Sequence, residues 1–354
     1  MELFQLTREE EQKILELNED HFNDLKGKLI APSKLQEVFV AFANSDGGDL
    51  YIGVEDPTFT GDRMNGLRNQ EEANAMIETL LEQTVPAVEN VLVEFLQSNE
   101  KGLILHFNIP KSPKVHYTSA GDCYIRVNAA KRKIKGERIT QLAYAKGAEP
   151  YEKKALENID IEDIVDSPML KSYMTRVSTQ ISPALFLKKQ QLLTRKDEDR
   201  LPNVGCVLLF DEDAQATMNT RCAVKVYRLR TTEKDYKREQ LEEMPVTING
   251  SIEEIINGTI KQVQQYVDGA SFKDGDKLVK LHYPAEALKE ILVNAVIHRD
   301  YSLNDDIHVR IFDNRIEIQS PGRLPGYMTI DNLYSERFSR NPNIVRMLHN
   351  LPNP

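Results

Sequence analysis

An acidic group with one lysine lies close to the N-terminus of the chain. Glu19, Asp24 and Lys26 fall within eight residues, and Asp56 follows an apolar segment that comes after a glycine pair. If the segment around Asp24 is extended, Asp24 and Lys26 share one face, because strand side chains alternate with period two. Converging carboxylates bind Mg²⁺ or Mn²⁺, and a nearby lysine can stabilise charge on an attacked phosphate. These residues suit metal-assisted phosphodiester cleavage; the alternative, in a chain with 55 acidic residues, is a solvated polar face.

A second polar pair lies near the C-terminus. Glu290 and Asn294 are four residues apart in a segment that reads as a helix beginning near Pro284. Residues at this spacing project from the same side of a helix. A carboxylate and an amide one turn apart can bind a water molecule and Mg²⁺ beside a triphosphate. The alternative is a solvated polar stripe.

A basic strip points to a polyanionic partner. Residues 111–146 carry nine lysines or arginines against two acids, whereas the whole chain has a net charge of −10. The chain as a whole is therefore not a polycation, and any nucleic-acid site must be local. The alternative is a solvated loop that faces the acidic remainder. The candidate nucleic-acid contacts are Arg126, Lys131, Arg132, Lys133, Lys135 and Arg138.

Composition limits the class of protein. The chain has 354 residues, of which 40% are apolar and 28% charged, as in globular proteins of two or three domains. Its three cysteines include no Cys-x-x-Cys pair, which argues against a disulfide framework and a structural zinc site. No apolar run approaches the roughly 18 residues of a membrane span. The N-terminus has no apolar signal-peptide core, so we expect a cytoplasmic protein with no membrane partner.

Hydrophobic periodicity predicts a mixed α/β and α+β chain in three segments, 1–150, 151–275 and 276–354. In the first, capping boxes are predicted at Thr7 and Ser33, and residues 90–96 and 103–109 are predicted to form a hairpin. The helix after Ser33 is expected to bury one face, which consists of Leu35, Val38, Phe39 and Phe42.

The second and third segments carry fewer clear signals. Residues 204–210, VGCVLLF, read as a buried strand, and Ser251 reads as the cap of a helix. In the third segment, residues 307–312 and 315–319 are predicted to pair as a hairpin. The helix from Pro284 is expected to bury Leu288, Ile291, Leu292, Ala295 and Val296.

The first segment resembles the Schlafen AlbA-type domain. The resemblance covers about residues 14–140 and is carried by EDHFNDLKG, FVAFANSDGGDLYIGVED and YIRVNAAKRK. It implies a nucleic-acid domain. In its RNase-type members a Glu-x4-Glu-x-Lys motif and a later Asp form the active site, which implies catalysis by Glu19, Asp24, Lys26 and Asp56, with the three carboxylates as metal ligands. Asp24 replaces the usual second Glu, and Leu25 replaces the usual Phe.

The third segment resembles the GHKL, or histidine-kinase-type, ATPase domain of RecG-like helicases and transcriptional regulators. The resemblance is carried by PAEALKEILVNAVIHRDYS, RIEIQSPGRLP and SRNPNIVRMLHNL. It implies that Glu290 is the general base and that Asn294 holds Mg²⁺. The further residues implied to contact ATP are His298, Arg299, Asp300, Gly322 and Asn341. The glycine-rich box that follows the lid in such domains does not occur before Pro354, so we expect an incomplete ATP site in this chain.

Together these features predict a Schlafen-like nucleic-acid domain, an α+β connector and a partial two-layer GHKL-type module. The leading hypothesis is an ATP-regulated, metal-dependent nuclease that acts on RNA or single strands, with phage defence as the role that family analogy suggests. The alternative is an ATP-responsive DNA-binding transcriptional regulator without nuclease activity, and a third is a scaffold in which both sites are vestigial. Because GHKL domains often pair on nucleotide binding, we expect a homodimer.

Overall fold

Contacts divide the chain into two compact units. In a computed structural model, one unit is Met1–Glu149 with Leu324–Glu336, and the other is Pro150–Arg323 with Arg337–Pro354. The structure describes residues 2–267, 271–274, 277–280, 283–324, 328 and 338–351. Among these residues, no helix combines the length and apolar character that a membrane crossing requires.

The first unit is built on a five-stranded mixed sheet. The order of its strands is β1-β4-β5-β3-β2, and a separate β6–β7 hairpin follows. Its strands are β1 (Glu2–Gln5), β2 (Asn23–Lys26), β3 (Gly48–Ile52), β4 (Leu92–Ser98), β5 (Gly102–Ile109), β6 (Cys123–Val127) and β7 (Ala130–Ile134). Its helices are α1 (Arg8–Glu16), α2 (Pro32–Asn44), α3 (Asn74–Leu81) and α4 (Glu137–Lys146).

Helix α2 packs on one face of this sheet and positions the strand that follows it. Its predicted apolar face is buried against sheet residues such as Leu50 and Phe107, as the periodicity predicted. The chain then turns at Gly47, where φ is +79°. A Cβ at Gly47 would lie 2.6 Å from the Ile109 carbonyl oxygen, so glycine is required for β3 to pair with β5 at this point.

The second unit contains a four-stranded sheet in the order β11-β10-β14-β15 and the hairpins β8–β9 and β12–β13. Its strands are β8 (Leu193–Lys196), β9 (Asp199–Pro202), β10 (Val224–Arg228), β11 (Val246–Ile248), β12 (Ser271–Asp274), β13 (Lys277–Lys280), β14 (Ile307–Ile311) and β15 (Ile316–Gln319). Its helices are α5 (Ile161–Asp166), α6 (Pro168–Arg176), α7 (Pro183–Lys189), α8 (Val204–Phe210), α9 (Ala214–Met218), α10 (Ile252–Val267), α11 (Ala285–Ile297) and α12 (Pro342–His349).

One hydrophobic core joins the segments that precede and follow residue 275. Strand β10 pairs in parallel with β14, and α10 packs on α11. Helices therefore cover one face of the four-stranded sheet, which gives the mixed α/β and α+β fold that the sequence predicted. The division of this unit into a connector and an ATP-binding module stays a prediction.

Most predicted elements are confirmed, and three predictions are wrong. Residues 204–210 form helix α8, because the Asn203 side chain accepts a hydrogen bond from the Cys206 N–H and caps a helix there. Helix α2 begins at Pro32 with Ala31 as its N-cap, so Ser33 caps nothing. Ile291 is 53% exposed and lies outside the buried face of α11.

Candidate functional site

The acidic group of the first unit is assembled around Lys26. Strand β2 pairs in parallel with β3, and the Lys26 ammonium contacts the carboxylates of both Glu19 and Asp24. Burial disfavours the charged ammonium, but Asp24 and Glu19 outweigh this cost and raise the pKa of Lys26. The sequence prediction that Asp24 and Lys26 would meet is therefore confirmed, and the lysine is held as a cation between two acids.

Arg126 neutralises the other side of Asp24. Its guanidinium is fully buried and donates to Asp24 Oδ2 at 2.5 Å, while Asp24 itself is 3% exposed. The same guanidinium donates to the backbone carbonyls of Asp20 and Asn23 and lies 4.3 Å from the centre of the Phe42 ring. Arg126 therefore fixes the start of β2 from inside the unit, and we do not include it among the nucleic-acid contacts proposed below.

Asp56 lies on the turn that follows β3, and its carboxylate is engaged locally. It accepts hydrogen bonds from the Thr58 hydroxyl at 2.6 Å and the Thr58 N–H at 2.8 Å. These bonds hold the pKa of Asp56 below its ordinary value, and the positive charge of Lys26 lowers it further. The charge of Lys26 therefore acts on all three predicted carboxylates.

The predicted metal ligands do not fit a divalent cation in this arrangement. Both oxygens of Asp24 already face a cation, Lys26 on one side and Arg126 on the other. Across the described residues, no group of three or more His, Cys, Asp or Glu side chains is placed to hold a metal ion. A divalent cation would have to displace Lys26 or Arg126 from Asp24, so we derive no reaction step through a metal here.

The basic strip separates into paired and unpaired cations. Lys131 pairs with Glu37 on α2 at 2.8 Å, and Lys133 pairs with Asp122 at 2.5 Å. Three further cations are exposed: Arg132 on β7, Lys135 in the short link after it and Arg138 in the first turn of α4. In the part of the chain that the structure describes, no carboxylate pairs with these three side chains, which we call the exposed basic patch.

The sequence analysis did not identify Glu37 and Asp122 as the acids that pair with Lys131 and Lys133. In the β6–β7 register Tyr124 is opposite Lys133, and Asp122, two residues before Tyr124 on the same face, reaches Lys133 diagonally. The two-residue turn between β6 and β7 was a usable signal for this pair. Glu37 gave no such signal, because it reaches Lys131 from a helix 94 residues earlier in the chain.

The polar residues of α11 form an exposed stripe. Glu290, Asn294 and His298 follow at intervals of four residues, and all three are exposed. Among the described residues, the side chains of Glu290 and Asn294 have no hydrogen-bond or ion-pair partner. Glu290 also borders a groove of about 370 Å³ between α10, α11 and α12. This free carboxylate and amide suit a nucleotide with its Mg²⁺.

Two residues predicted to contact ATP hold the backbone together instead. Arg299 is fully buried, and the Asn341 amide donates to the carbonyl oxygens of Ile297 and Arg299 at 2.9 Å each. These amide bonds tie the end of α11 to the start of α12. The Arg299 guanidinium donates to the carbonyl oxygens of Arg221, Leu303 and Asp305.

Asp300 and Gly322 are also placed for packing. The Asp300 carboxylate forms a buried ion pair with Arg340 at 2.9 Å and accepts a hydrogen bond from the Ser302 hydroxyl. A Cβ at Gly322, where φ is +136°, would lie 3.1 Å from the Asp300 Cβ. Among the predicted ATP contacts, Glu290, Asn294, His298 and Gly322 are exposed, whereas Arg299, Asp300 and Asn341 are buried.

Comparison with known families follows the same division of the chain. Residues 19–135 match the family model described as Schlafen, AlbA_2, and residues 304–353 match the one described as putative ATP-dependent DNA helicase recG C-terminal. Both matches lie within the segments in which the sequence showed these resemblances, and both resemblances are confirmed. No curated protein matches the chain significantly.

One solved structure is similar over most of the chain. It is the DIP2311 protein from Corynebacterium diphtheriae, with 17% sequence identity and a TM-score of 0.41. The match covers 93% of this chain and 67% of that protein.

Proposed function

We propose that the chain is an ATP-responsive nucleic-acid-binding protein whose first unit contacts phosphates through the exposed basic patch. The Schlafen AlbA_2 match supports a nucleic-acid partner. The observation that carries the proposal is that Arg132, Lys135 and Arg138 are exposed and have no acidic partner among the residues that the structure describes. Unpaired cations release counterions on phosphate contact. The surrounding acids neutralise Lys131 and Lys133, so these two contribute less.

The acidic group supports binding without metal-dependent cleavage. Asp24 is buried between Lys26 and Arg126, and each of its oxygens is in an ion pair that a metal ion would have to break. Separating such a buried pair costs several kcal/mol, which a metal would have to repay. In this proposal Glu19, Asp24 and Lys26 stabilise the strand that leads toward α2.

The alternative is the metal-dependent nuclease acting on RNA or single strands, with the role in phage defence that family analogy suggests. It is favoured by the contacts of Lys26 with Glu19 and Asp24, and by the effect of Lys26 on Asp56. The resemblance to RNase-type members implies that the catalytic residues of this nuclease are Glu19, Asp24, Lys26 and Asp56.

For the second unit we propose ATP binding at the α11 stripe, with Glu290 and Asn294 as the groups that reach the nucleotide. The recG-type match supports this assignment, and both side chains are free to bind. Pairing of two copies on nucleotide binding, a cytoplasmic location and regulation of transcription belong to the same proposal.

The deciding experiment compares binding with cleavage. Purified protein is incubated with labelled tRNA, single-stranded DNA and duplex DNA, with and without Mn²⁺ and ATP. We expect a mobility shift and no cleavage in any condition. Because the ATP site of this chain is expected to be incomplete, ATP should change the shift only weakly. Mn²⁺-dependent cleavage that disappears in both Glu19→Ala and Asp56→Ala would establish the nuclease instead. Absence of both a shift and cleavage would contradict both assignments.

A further inference from the structure

The four-stranded sheet of the second unit has a polar face opposite its helices. On β10 and β14 the residues that point to the helices are apolar and buried, as Val226 and Val309 are. The alternate residues point the other way and are partly exposed. The strands are parallel and in register, so Lys225 lies beside His308 and Tyr227 lies beside Arg310.

These four side chains form a two-by-two array of hydrogen-bond donors. Neighbouring strands are about 4.8 Å apart, and alternate residues along one strand are about 6.6 Å apart. At these spacings an anion the size of phosphate above the centre of the four positions would be within reach of side chains that extend from them. The four residues of this array, which we call the β10–β14 array, are Lys225, Tyr227, His308 and Arg310.

Arg310 is held in position by neutral groups. Its Nε donates to the Tyr236 hydroxyl at 3.1 Å, and its Nη1 donates to Gln319 Oε1 at 2.8 Å. Its guanidinium lies 5.9 Å from the centre of the Tyr227 ring. These contacts fix the orientation of the guanidinium and leave its Nη2 group available to a ligand.

The charge of Arg310 distinguishes it from other cations of this sheet. Lys225 pairs with the buried Asp306 at 3.2 Å, Arg228 pairs with Asp313 and Arg315 pairs with Glu317. Arg310 lies opposite Glu317 in the β14–β15 register, but that carboxylate is 2.6 Å from Arg315. Within the described residues Arg310 has no carboxylate partner, so its guanidinium keeps a positive charge that a bound anion would compensate, whereas the charge of Lys225 is neutralised by Asp306.

Tyr227 and His308 add donors next to this charge. The Tyr227 hydroxyl is 3.0 Å from His308 Nδ1, and His308 Nε2 is 3.3 Å from the exposed Asp305 carboxylate. Burial raises the pKa of Tyr227, so the hydroxyl stays protonated. In the tautomer in which His308 Nδ1–H donates to the Tyr227 oxygen, the single hydroxyl proton is left for a ligand. A planar arginine with a hydroxyl, an imidazole and an ammonium around it is suited to the several oxygens of a phosphate group.

We infer that the β10–β14 array is a phosphate-binding site on the second unit, separate from both the exposed basic patch and the α11 stripe. Its ligand is a phosphate group, carried either by a small molecule or by a nucleic-acid backbone. Arg310 supplies the charge and the directional bond, and Tyr227 supplies a hydroxyl donor.

The test is a calorimetric titration of the full chain with inorganic phosphate, which measures phosphate affinity. Arg310→Gln is expected to weaken phosphate binding by at least about tenfold, which corresponds to about 1.4 kcal/mol. The matched control is Arg230→Gln, because Arg230 pairs with Glu242 and is 70% exposed; it removes the same charge and should change affinity less than about twofold. Phosphate affinity unchanged in Arg310→Gln, or no phosphate binding by the parent chain, would overturn the inference.

A second variant keeps the test decisive if Arg310→Gln does not fold. Tyr227→Phe retains the ring and removes the hydroxyl, and it should weaken phosphate binding by roughly threefold to tenfold. Equal affinity in Tyr227→Phe and the parent would remove Tyr227 from the site and contradict the array.

The source of the phosphate is resolved by competition. A twelve-nucleotide deoxythymidine strand is added to a variant in which Arg132, Lys135 and Arg138 are replaced by Gln, so that the exposed basic patch does not contribute. Displacement of phosphate by the strand, lost in Arg310→Gln, supports a nucleic-acid backbone as the ligand. Retained phosphate binding without displacement supports a small phosphorylated molecule.

Discussion

The acidic group of the first unit and the α11 stripe of the second differ in how their charges are satisfied. Asp24 is buried, with one cation on each side, whereas Glu290 and Asn294 are exposed and have no partner among the described residues. Both groups were found by residue type and spacing. The difference teaches that spacing indicates which side chains meet, while the available chemistry depends on what else reaches them.

The largest effect on stability is expected for a substitution of Arg126, which forms a buried ion pair with Asp24. Arg126→Met removes one cation from Asp24 and leaves a buried carboxylate with Lys26 alone. Removing one partner of a buried ion pair costs about 3–5 kcal/mol, so we expect the free energy of unfolding to fall by that amount. Urea denaturation of the full chain measures it.

The control for this variant is Arg132→Gln, which removes the same charge from the exposed side of the neighbouring strand. Its effect on stability should stay within about 0.5 kcal/mol. If Arg126→Met also changes stability by less than about 1 kcal/mol, Asp24 is not held as the structure implies, and its oxygens are available to a metal.

Glu152 is a second buried carboxylate, and among the described residues it has no ion-pair partner, in contrast to Asp24. Glu152 is fully buried and accepts hydrogen bonds from the N–H groups of Asn343 and Ile344, at 2.7 and 3.0 Å, where α12 begins. Glu152→Ala leaves these donors without their acceptor, which costs about 1–3 kcal/mol for each buried group. Thermal or urea unfolding should show the loss.

The pH dependence at Glu152 follows from its environment. Burial raises the pKa of Glu152 more than the two backbone hydrogen bonds lower it. The folded chain therefore binds the Glu152 proton more tightly than the unfolded chain does. The stability that this proton contributes is fully present below the ordinary glutamate pKa. It is lost as the pH rises through the raised pKa of the folded chain. As the pH rises above the ordinary glutamate pKa of about 4.3, the stability of the parent relative to Glu152→Gln should fall. A constant or rising difference would contradict this assignment.

The smallest effect on stability is expected in the α11 stripe. Asn294→Ala removes an exposed side chain without a partner, so the free energy of unfolding should change by less than about 0.5 kcal/mol. Nucleotide binding in the presence of Mg²⁺ should weaken if the stripe contacts ATP. Calorimetry with ATP measures nucleotide binding, and a parallel urea titration measures the free energy of unfolding. A large loss of stability would show that Asn294 is structural, as Asn341 is.

Local signals predicted much of the fold. The Thr7 and Ser251 capping boxes form as expected, and both predicted hairpins pair as β4–β5 and β14–β15. Periodicity failed for residues 204–210, because an apolar run of seven has no polar face to distinguish a buried helix from a buried strand. The capping asparagine at position 203 was the signal that favoured a helix.

Contacts between residues far apart in the sequence limited how much of the candidate sites could be predicted. Asp24 and Lys26 share a strand, so their meeting was predictable from period two. Arg126 lies 102 residues from Asp24, and its place in the basic strip suggested a phosphate contact. Which cations of that strip remain unpaired depends on the positions of α2 and β6, which spacing alone does not give.

The salt dependence of nucleic-acid binding tests the central claim most directly. Arg132→Gln/Lys135→Gln is compared with Lys131→Gln/Lys133→Gln, which removes two charges from the same strand but from cations that Glu37 and Asp122 already neutralise. On duplex DNA each lost phosphate contact should flatten the slope of log affinity against log salt by about 0.9. We predict that the first variant flattens the slope by up to about 1.8 and that the second leaves it nearly unchanged. Equal slopes for the two variants, or a larger change in the second, would contradict the claim that the unpaired cations bind the phosphates.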